Sequence, residues 1–248
     1  MSHDRQNNML GKVAVAVVCK TPSPGKSKTR LSPPLRPEDC AAISSCFIRD
    51  LSRTIGKLAE DGDSVGYAVY TPAGSEEALR TLLPDRFELA LQCDGDFGER
   101  LLQGAKDLID AGHDGAILIN SDSPTLPVSI LRAAVDAVRT GDNVVLSPAL
   151  DGGYTLIGLS RLHRRLFEDI PWSTSRVYEL TLDRAREIGI PVISVPGWYD
   201  VDDAASLHLL EEEMSGRPLT FTDIPGSDAP ATRRFLRSRL AAVAEPAL

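Results

Sequence analysis

Seven short β-rich segments alternate with helical segments along almost the whole chain, and this alternation restricts the fold more than any other feature. Val13 to Cys19 is a continuously apolar, Val-rich run of seven residues, the pattern of a strand buried on both faces. Further strands are predicted at Val65–Tyr70, Phe87–Gln92, Ala116–Asn120, Val144–Ser147, Tyr154–Leu159 and Val192–Val195. Between them, Ile43, Phe47, Leu51, Ile55 and Leu58 recur at helical spacing within Glu38–Glu60. Helices are also predicted over Ser75–Leu83, Gly98–Ala111, from Pro127, over Ser173–Ile188 and over Asp203–Met214. Such alternation specifies an α/β fold: a single-domain, Rossmann-like three-layer sandwich with a mostly parallel sheet. No repeat or linker divides residues 12–214. Residues 215–248 form a C-terminal tail with one predicted helix, Ala231–Ala244, which carries Arg233, Arg234, Arg237 and Arg239.

Several functions are excluded early. The longest apolar run is seven residues, far short of a bilayer span, so no membrane partner is expected. A net charge of −8 argues against a nucleic-acid partner. The first ten residues are polar and lack the apolar stretch of a signal peptide. Cys19, Cys40, Cys46 and Cys93 show neither C-x-x-C nor zinc spacing and are read as structural. A cytoplasmic location is the expectation. His3, His113, His163 and His208 are scattered without ligand spacing. Gly62-Asp-Ser-Val-Gly66 matches G-x-S-x-G, but it leads into a strand and not from a strand into a helix, so it is a turn.

In an open parallel sheet, ligands bind beyond the carboxyl ends of the strands. After the first strand, Lys20, Lys26, Lys28 and Arg30 place four cations in eleven residues with no acid. Gly25 permits close backbone approach there, and the loop suits a di- or triphosphate. Asp122 follows the fourth strand, and Asp200, Asp202 and Asp203 follow the last. Carboxylates at strand ends can hold Mg²⁺ together with substrate phosphates, or simply cap the next helix. Asp151-Gly-Gly153 reads as a hairpin turn, and Trp172-Ser-Thr174 as a helix cap.

These blocks resemble a known family. Lys20-Thr-Pro-Ser-Pro-Gly-Lys-Ser-Lys-Thr-Arg-Leu31 is similar to the opening signature of bacterial glycosyltransferase-A-fold transferases of the rSAM/selenodomain-associated type. These are related to 2-phospho-L-lactate and molybdenum-cofactor guanylyltransferases. Gln92–Arg100, Ser121–Pro127, Asp151–Leu159, Pro171–Thr174 and Trp198–Asp202 match later blocks in order, although the usual T-P-E-D after the last is here Asp203-Ala-Ala-Ser206. The resemblance implies a nucleotide-diphospho-sugar transferase fold. It implies phosphate contacts from Gly25, Lys28 and Arg30, with Lys20 also in the nucleotide site, and base and ribose contacts from Gln92, Gly95 and Gly98. It further implies Mg²⁺ or Mn²⁺ at Asp122 and Asp202, and an acceptor facing Tyr154, Ser173 and Thr174. Lys28, Arg30 and Asp122 would serve the chemistry.

The reaction expected first is nucleotidyl transfer from an NTP to a small phosphorylated or acidic acceptor, with pyrophosphate leaving. Glycosyl transfer from a nucleotide sugar and a non-catalytic nucleotide-binding module are the alternatives. The tail lies outside the matching blocks, so a chain stopping at Gly216 is expected to bind nucleotide unchanged.

Overall fold

A computed structural model describes residues 11–244. The polar segment 1–10, with His3, lies outside the described residues, as do residues 245–248. The chain runs β1 (Val13–Lys20), α1 (Pro37–Ala59), β2 (Ser64–Thr71), α2 (Glu76–Arg80), β3 (Glu88–Leu91), α3 (Phe97–Asp110), β4 (Gly115–Asn120) and α4 (Val128–Val138). It continues through β5 (Val144–Pro148), β6 (Tyr154–Leu159), α5 (Val177–Glu187), β7 (Val192–Ser194), α6 (Ala204–Met214) and α7 (Pro230–Ala244). The strands form one sheet in the order β3-β2-β1-β4-β6-β5-β7. Among the described residues, only β6 runs against its neighbours.

Strand β1 shows why the sheet needs cover on both faces. Val13, Val15, Val17 and Cys19 enter one core with Ile43, Phe47 and Leu51 of α1, Val135 of α4 and Leu210 of α6. Ala14 and Ala16 point the other way, into a second core with Leu101, Ala105 and Leu108 of α3 and Ala185 of α5. The period-2 pattern of one strand thus feeds two apolar layers. Small residues let α3 sit close: a Cβ on Gly104 would lie 3.1 Å from Val69.

Helix starts show local chemistry at work. Asp96 and Glu99 form a reciprocal capping box at α3. Asp203 and Ser206 do the same at α6, so the replacement of T-P-E-D leaves a well-capped helix. The helix predicted from Ser173 begins only at Val177. Ser173 adopts φ 64°, a left-handed conformation that cannot propagate a right-handed helix. The helix predicted from Pro127 begins at Val128, with Pro127 in extended conformation as its cap. Asp122 therefore caps no helix, and neither do Ser173 and Thr174, since the α5 cap position is Arg176.

The tail helix is present and docked. Asp50 of α1 is 1% exposed, and its carboxylate accepts the N–H groups of Ala231 (3.0 Å) and Thr232 (2.7 Å). A side chain distant in sequence thereby caps the first turn of α7. The Arg233 guanidinium donates to the Met214 carbonyl, and Arg239 pairs with Glu211. Burial lifts the Asp50 carboxyl above its ordinary value, against the pull of the two N–H donors. The folded state therefore takes up a proton before the unfolded chain does. Asp50 by itself makes the fold more stable as pH falls from that raised value toward about 4. Asp50→Asn is expected to remove this slope in urea titrations, and Asp50→Ala to cost about 2 kcal/mol with faster amide exchange across α7. An unchanged exchange pattern in α7 would refute the capping role.

Among the described residues, no helix is long and apolar enough to cross a membrane.

Candidate active site

Strand order reverses between β1 and β4: β2 and β3 lie on one side of β1, and the chain then returns to the other. A crevice opens outside the carboxyl ends of the strands at such a point. Two adjoining cavities lie there, of about 390 and 250 Å³, and both are lined by Lys20, Arg30, Ser121, Asp122 and Asp202.

The smaller cavity is the cationic one, with Lys26, Lys28 and Thr29 completing its wall. Lys28 sits at φ 48°, ψ 40°, an uncommon left-handed conformation for a residue other than glycine. Its side chain is 7% exposed, and Nζ donates to Asp122 Oδ1 (2.7 Å), Asp202 Oδ1 (2.8 Å) and the Val201 carbonyl (2.7 Å). Arg30 holds the other oxygen of Asp202. Burial alone would lower the Lys28 pKa, but Asp122 and Asp202 more than offset it and raise it above the ordinary value. Burial likewise pushes Asp202 up, but Lys28 and Arg30 hold it below the usual carboxylate range. The N–H of Val201 donates to the Asp122 carbonyl, so backbone as well as charge joins the loop after β4 to the loop after β7.

The larger cavity carries Gln92, Tyr154, Ser173 and Thr174, together with Phe97, Arg100, Asp151, Trp172 and Asp200. Gln92 is fixed by both ends of its amide: Nε2 donates to the carbonyls of Cys19 (3.1 Å) and Val69 (2.9 Å), and Oε1 accepts from Arg100 (3.2 Å). Phe97 and Trp172 meet edge to face at 5.3 Å, and the Arg100 guanidinium lies 5.6 Å from the Phe97 ring centre. Thr174 Oγ1 donates to the Pro171 carbonyl. Burial pushes the Tyr154 phenol well above its ordinary value, which keeps it a neutral hydroxyl. Asp200 has no ion-pair partner among the described residues. Burial, then Asp151, Asp202 and Asp122, push its carboxyl up to about 7. Asp151 sits in the β5–β6 hairpin turn, where its carboxylate accepts the Gly153 N–H.

Nine of the twelve residues to which the resemblance gives a role therefore line these cavities: Lys20, Lys28, Arg30, Gln92, Asp122, Tyr154, Ser173, Thr174 and Asp202. Gly25, Gly95 and Gly98 line neither. Gly25 adopts φ 71° in an exposed turn, and Gly95 adopts φ 129° just before the α3 capping box. Gly98 serves packing: a Cβ there would lie 2.7 Å from both the Phe167 carbonyl and Trp172 Nε1. Arg100, Phe97 and Trp172 fall within the matching blocks but were given no site role. The signal available was a cation three residues after the aromatic Phe97 on a helix whose N-terminus follows a strand.

Whether the acidic pair suits a divalent ion can be judged from its donors. No group of three or more His, Cys, Asp or Glu side chains is gathered for a metal among the described residues. Asp122 and Asp202 offer hard carboxylate oxygens now engaged by Lys28. The donor set fits an ion that takes its remaining ligands from phosphate and water, once the ammonium has moved away.

The family described as "Uncharacterized protein conserved in bacteria (DUF2064)" matches residues 54–174, just under half of the chain. No curated protein matches it in sequence. Among solved structures, one from Desulfovibrio desulfuricans G20, provisionally described as a nucleotide-diphospho-sugar transferase, is 27% identical with a TM-score of 0.79. That likeness covers 95% of this chain and 98% of the other. CMP:2-keto-3-deoxy-manno-octonic acid synthetase complexed with CTP is 13% identical (TM-score 0.55; 83% of this chain, 99% of the other). The 4-diphosphocytidyl-2C-methyl-D-erythritol synthase of Anaerococcus prevotii DSM 20548 is 10% identical (TM-score 0.55; 83% and 97%). The last two likenesses concern the fold alone. The chain has the nucleotide-diphospho-sugar transferase fold.

Proposed function

We propose that this chain moves a nucleotidyl group from a nucleoside triphosphate to a small phosphorylated or acidic acceptor and releases pyrophosphate. It is a transferase on this reading, and the observation that carries it is the meeting of Lys28 and Arg30 with Asp122 and Asp202 at the strand-order reversal. Cations there can take up phosphate charge, and the carboxylates give them a defined resting position.

In the reaction, an acceptor oxygen attacks the α-phosphate in line and the bond to the β-phosphate breaks, so the electron pair leaves on pyrophosphate. Lys28 and Arg30 would bind the β- and γ-phosphates and offset the charge that develops on the leaving group. Lys20 and Arg100 line the larger cavity and would balance an acidic acceptor, while Tyr154, Ser173 and Thr174 orient it. Gln92, locked by strand carbonyls, gives the base side of the cavity a fixed edge. Mg²⁺ or Mn²⁺, held by Asp122 and Asp202, would supply Lewis-acid polarisation of the phosphates when bound.

Charge-assisted contacts are worth about 1.5–3 kcal/mol, so Arg30→Ala is expected to weaken NTP binding about ten- to a hundredfold. The matching nucleoside monophosphate should lose less. Titrations of the four common NTPs with and without Mg²⁺ check this, together with pyrophosphate release in the presence of candidate acceptors. Release of nucleoside diphosphate from a nucleotide sugar, with no pyrophosphate from any NTP, would assign glycosyl transfer instead. Binding without turnover of either donor would leave a nucleotide-binding module.

A further inference from the structure

A third cavity, of about 710 Å³, opens at the opposite end of the sheet, between α1, the start of β2 and residues 84–87. Lys12 precedes β1 and Ser64 begins β2, so this cavity belongs to the amino ends of the strands. An eight-residue strand spans about 26 Å, which separates it from the crevice described above.

Its chemistry has two parts. The inner wall is apolar, with Pro84, Phe87 and Val65 beside Gly56. Gly66 makes this wall possible: a Cβ at Gly66 would lie 2.4 Å from the Phe87 ring. The rim is cationic, with Lys12, Arg53, Lys57 and Arg86 against Glu60 and Asp85. That is an excess of positive charge on a chain of net −8. Lys12, Lys57 and Arg86 make no ion pair among the described residues, while Arg53 reaches Asp228 only at 3.9 Å. An independent observation comes from Ser64, which lines the cavity. It is 3% exposed, yet its Oγ has no hydrogen-bond partner among the described residues. A buried hydroxyl without a partner is costly, and a ligand acceptor atom would satisfy it.

We propose that this cavity is a second ligand site, for a small organic anion with a flat apolar body and a phosphate or carboxylate group. The body lies on Pro84 and Val65, with the buried Phe87 ring behind them, and the acid group meets Lys57, Arg86 and the Ser64 hydroxyl. It stands independently of the transferase reading.

Isothermal titration of the full chain with 1-naphthyl phosphate and with inorganic phosphate tests the site. Naphthyl phosphate is expected to bind at least tenfold more tightly than inorganic phosphate. Lys57→Glu combined with Arg86→Glu should weaken it at least tenfold, Arg86→Ala alone about fivefold and Ser64→Ala a few-fold. Arg161→Ala, at an exposed position that lines none of the three cavities, should leave it unchanged. Loss of binding in Arg30→Ala but not in the rim variants would overturn the proposal. So would equal affinity for inorganic phosphate, or no binding at millimolar concentration.

Discussion

A chain ending at Gly216 is expected to lose cooperative folding altogether. Removing the tail takes away Leu236, which is 3% exposed, and fully buried Ala229. Leu219, Phe221, Ile224 and Phe235, which pack on the same core, go with them. The Phe221 ring stands 5.8 Å from that of Trp198 and 6.0 Å from that of Tyr199, two of the largest buried side chains. The Ser227 N–H donates to the Thr125 carbonyl, and Ser227 Oγ accepts the Val128 N–H at the start of α4. A fully buried large apolar side chain contributes about 1.5–3 kcal/mol. The tail thus contributes about 5–10 kcal/mol, comparable to the whole stability of a typical domain. Thermal melts followed by circular dichroism decide it: a sharp transition within a few degrees of the full chain would refute the expectation. Leu236→Ala tests the same packing more gently, at about 2–5 kcal/mol. Such an outcome would overturn the expectation from sequence that the tail is dispensable for nucleotide binding.

Lys28→Met should act on stability and binding together. The substitution keeps much of the side-chain volume and deletes the cation shared by Asp122 and Asp202. Breaking a buried ion pair from one side costs about 3–5 kcal/mol, and the partial exposure of the two carboxylates places this case near the lower figure. NTP affinity should fall about ten- to a hundredfold with loss of the charged contact. Adding Asp122→Asn to Lys28→Met should recover part of the stability, because one uncompensated charge is removed. Urea unfolding of the two single variants and the double variant measures this coupling. Additive losses would mean that the ammonium and the carboxylate act separately.

Much of this was legible because strands and loops announce themselves locally. The Val-rich run of β1, the four cations after it and the Asp-Gly turn after β5 all found their places. So did the acidic strand ends, since a parallel sheet brings every such end to one side. What escaped depends on distant partners. Ser173 and Thr174 looked like a helix cap, yet the left-handed backbone at Ser173 delays α5 by a turn. The packing role of Gly98 also depends on a distant residue, since the ring of Trp172 leaves its Cα no room for a side chain. Asp50 was overlooked although a clue was present. It falls among Phe47, Leu51 and Thr54 on the apolar face of α1, where a carboxylate needs donors from elsewhere. Those donors lie 181 and 182 residues further along.

The reversed direction of β6 has a consequence for how such a protein can diversify. Strands joined in parallel must be connected by a helix crossing one face of the sheet, so a change in those connections disturbs a packed layer. The β5–β6 connection instead turns back within a few residues, on the same side of the sheet as the carboxyl ends of β1 and β4. It carries Asp151 on the cavity wall, and Leu150 beside it is 57% exposed. Lengthening a surface turn adds only about 0.6 kcal/mol per doubling in closure entropy. Residues 149–153 are therefore where the cavity wall can be reshaped by insertion while both apolar layers stay as they are.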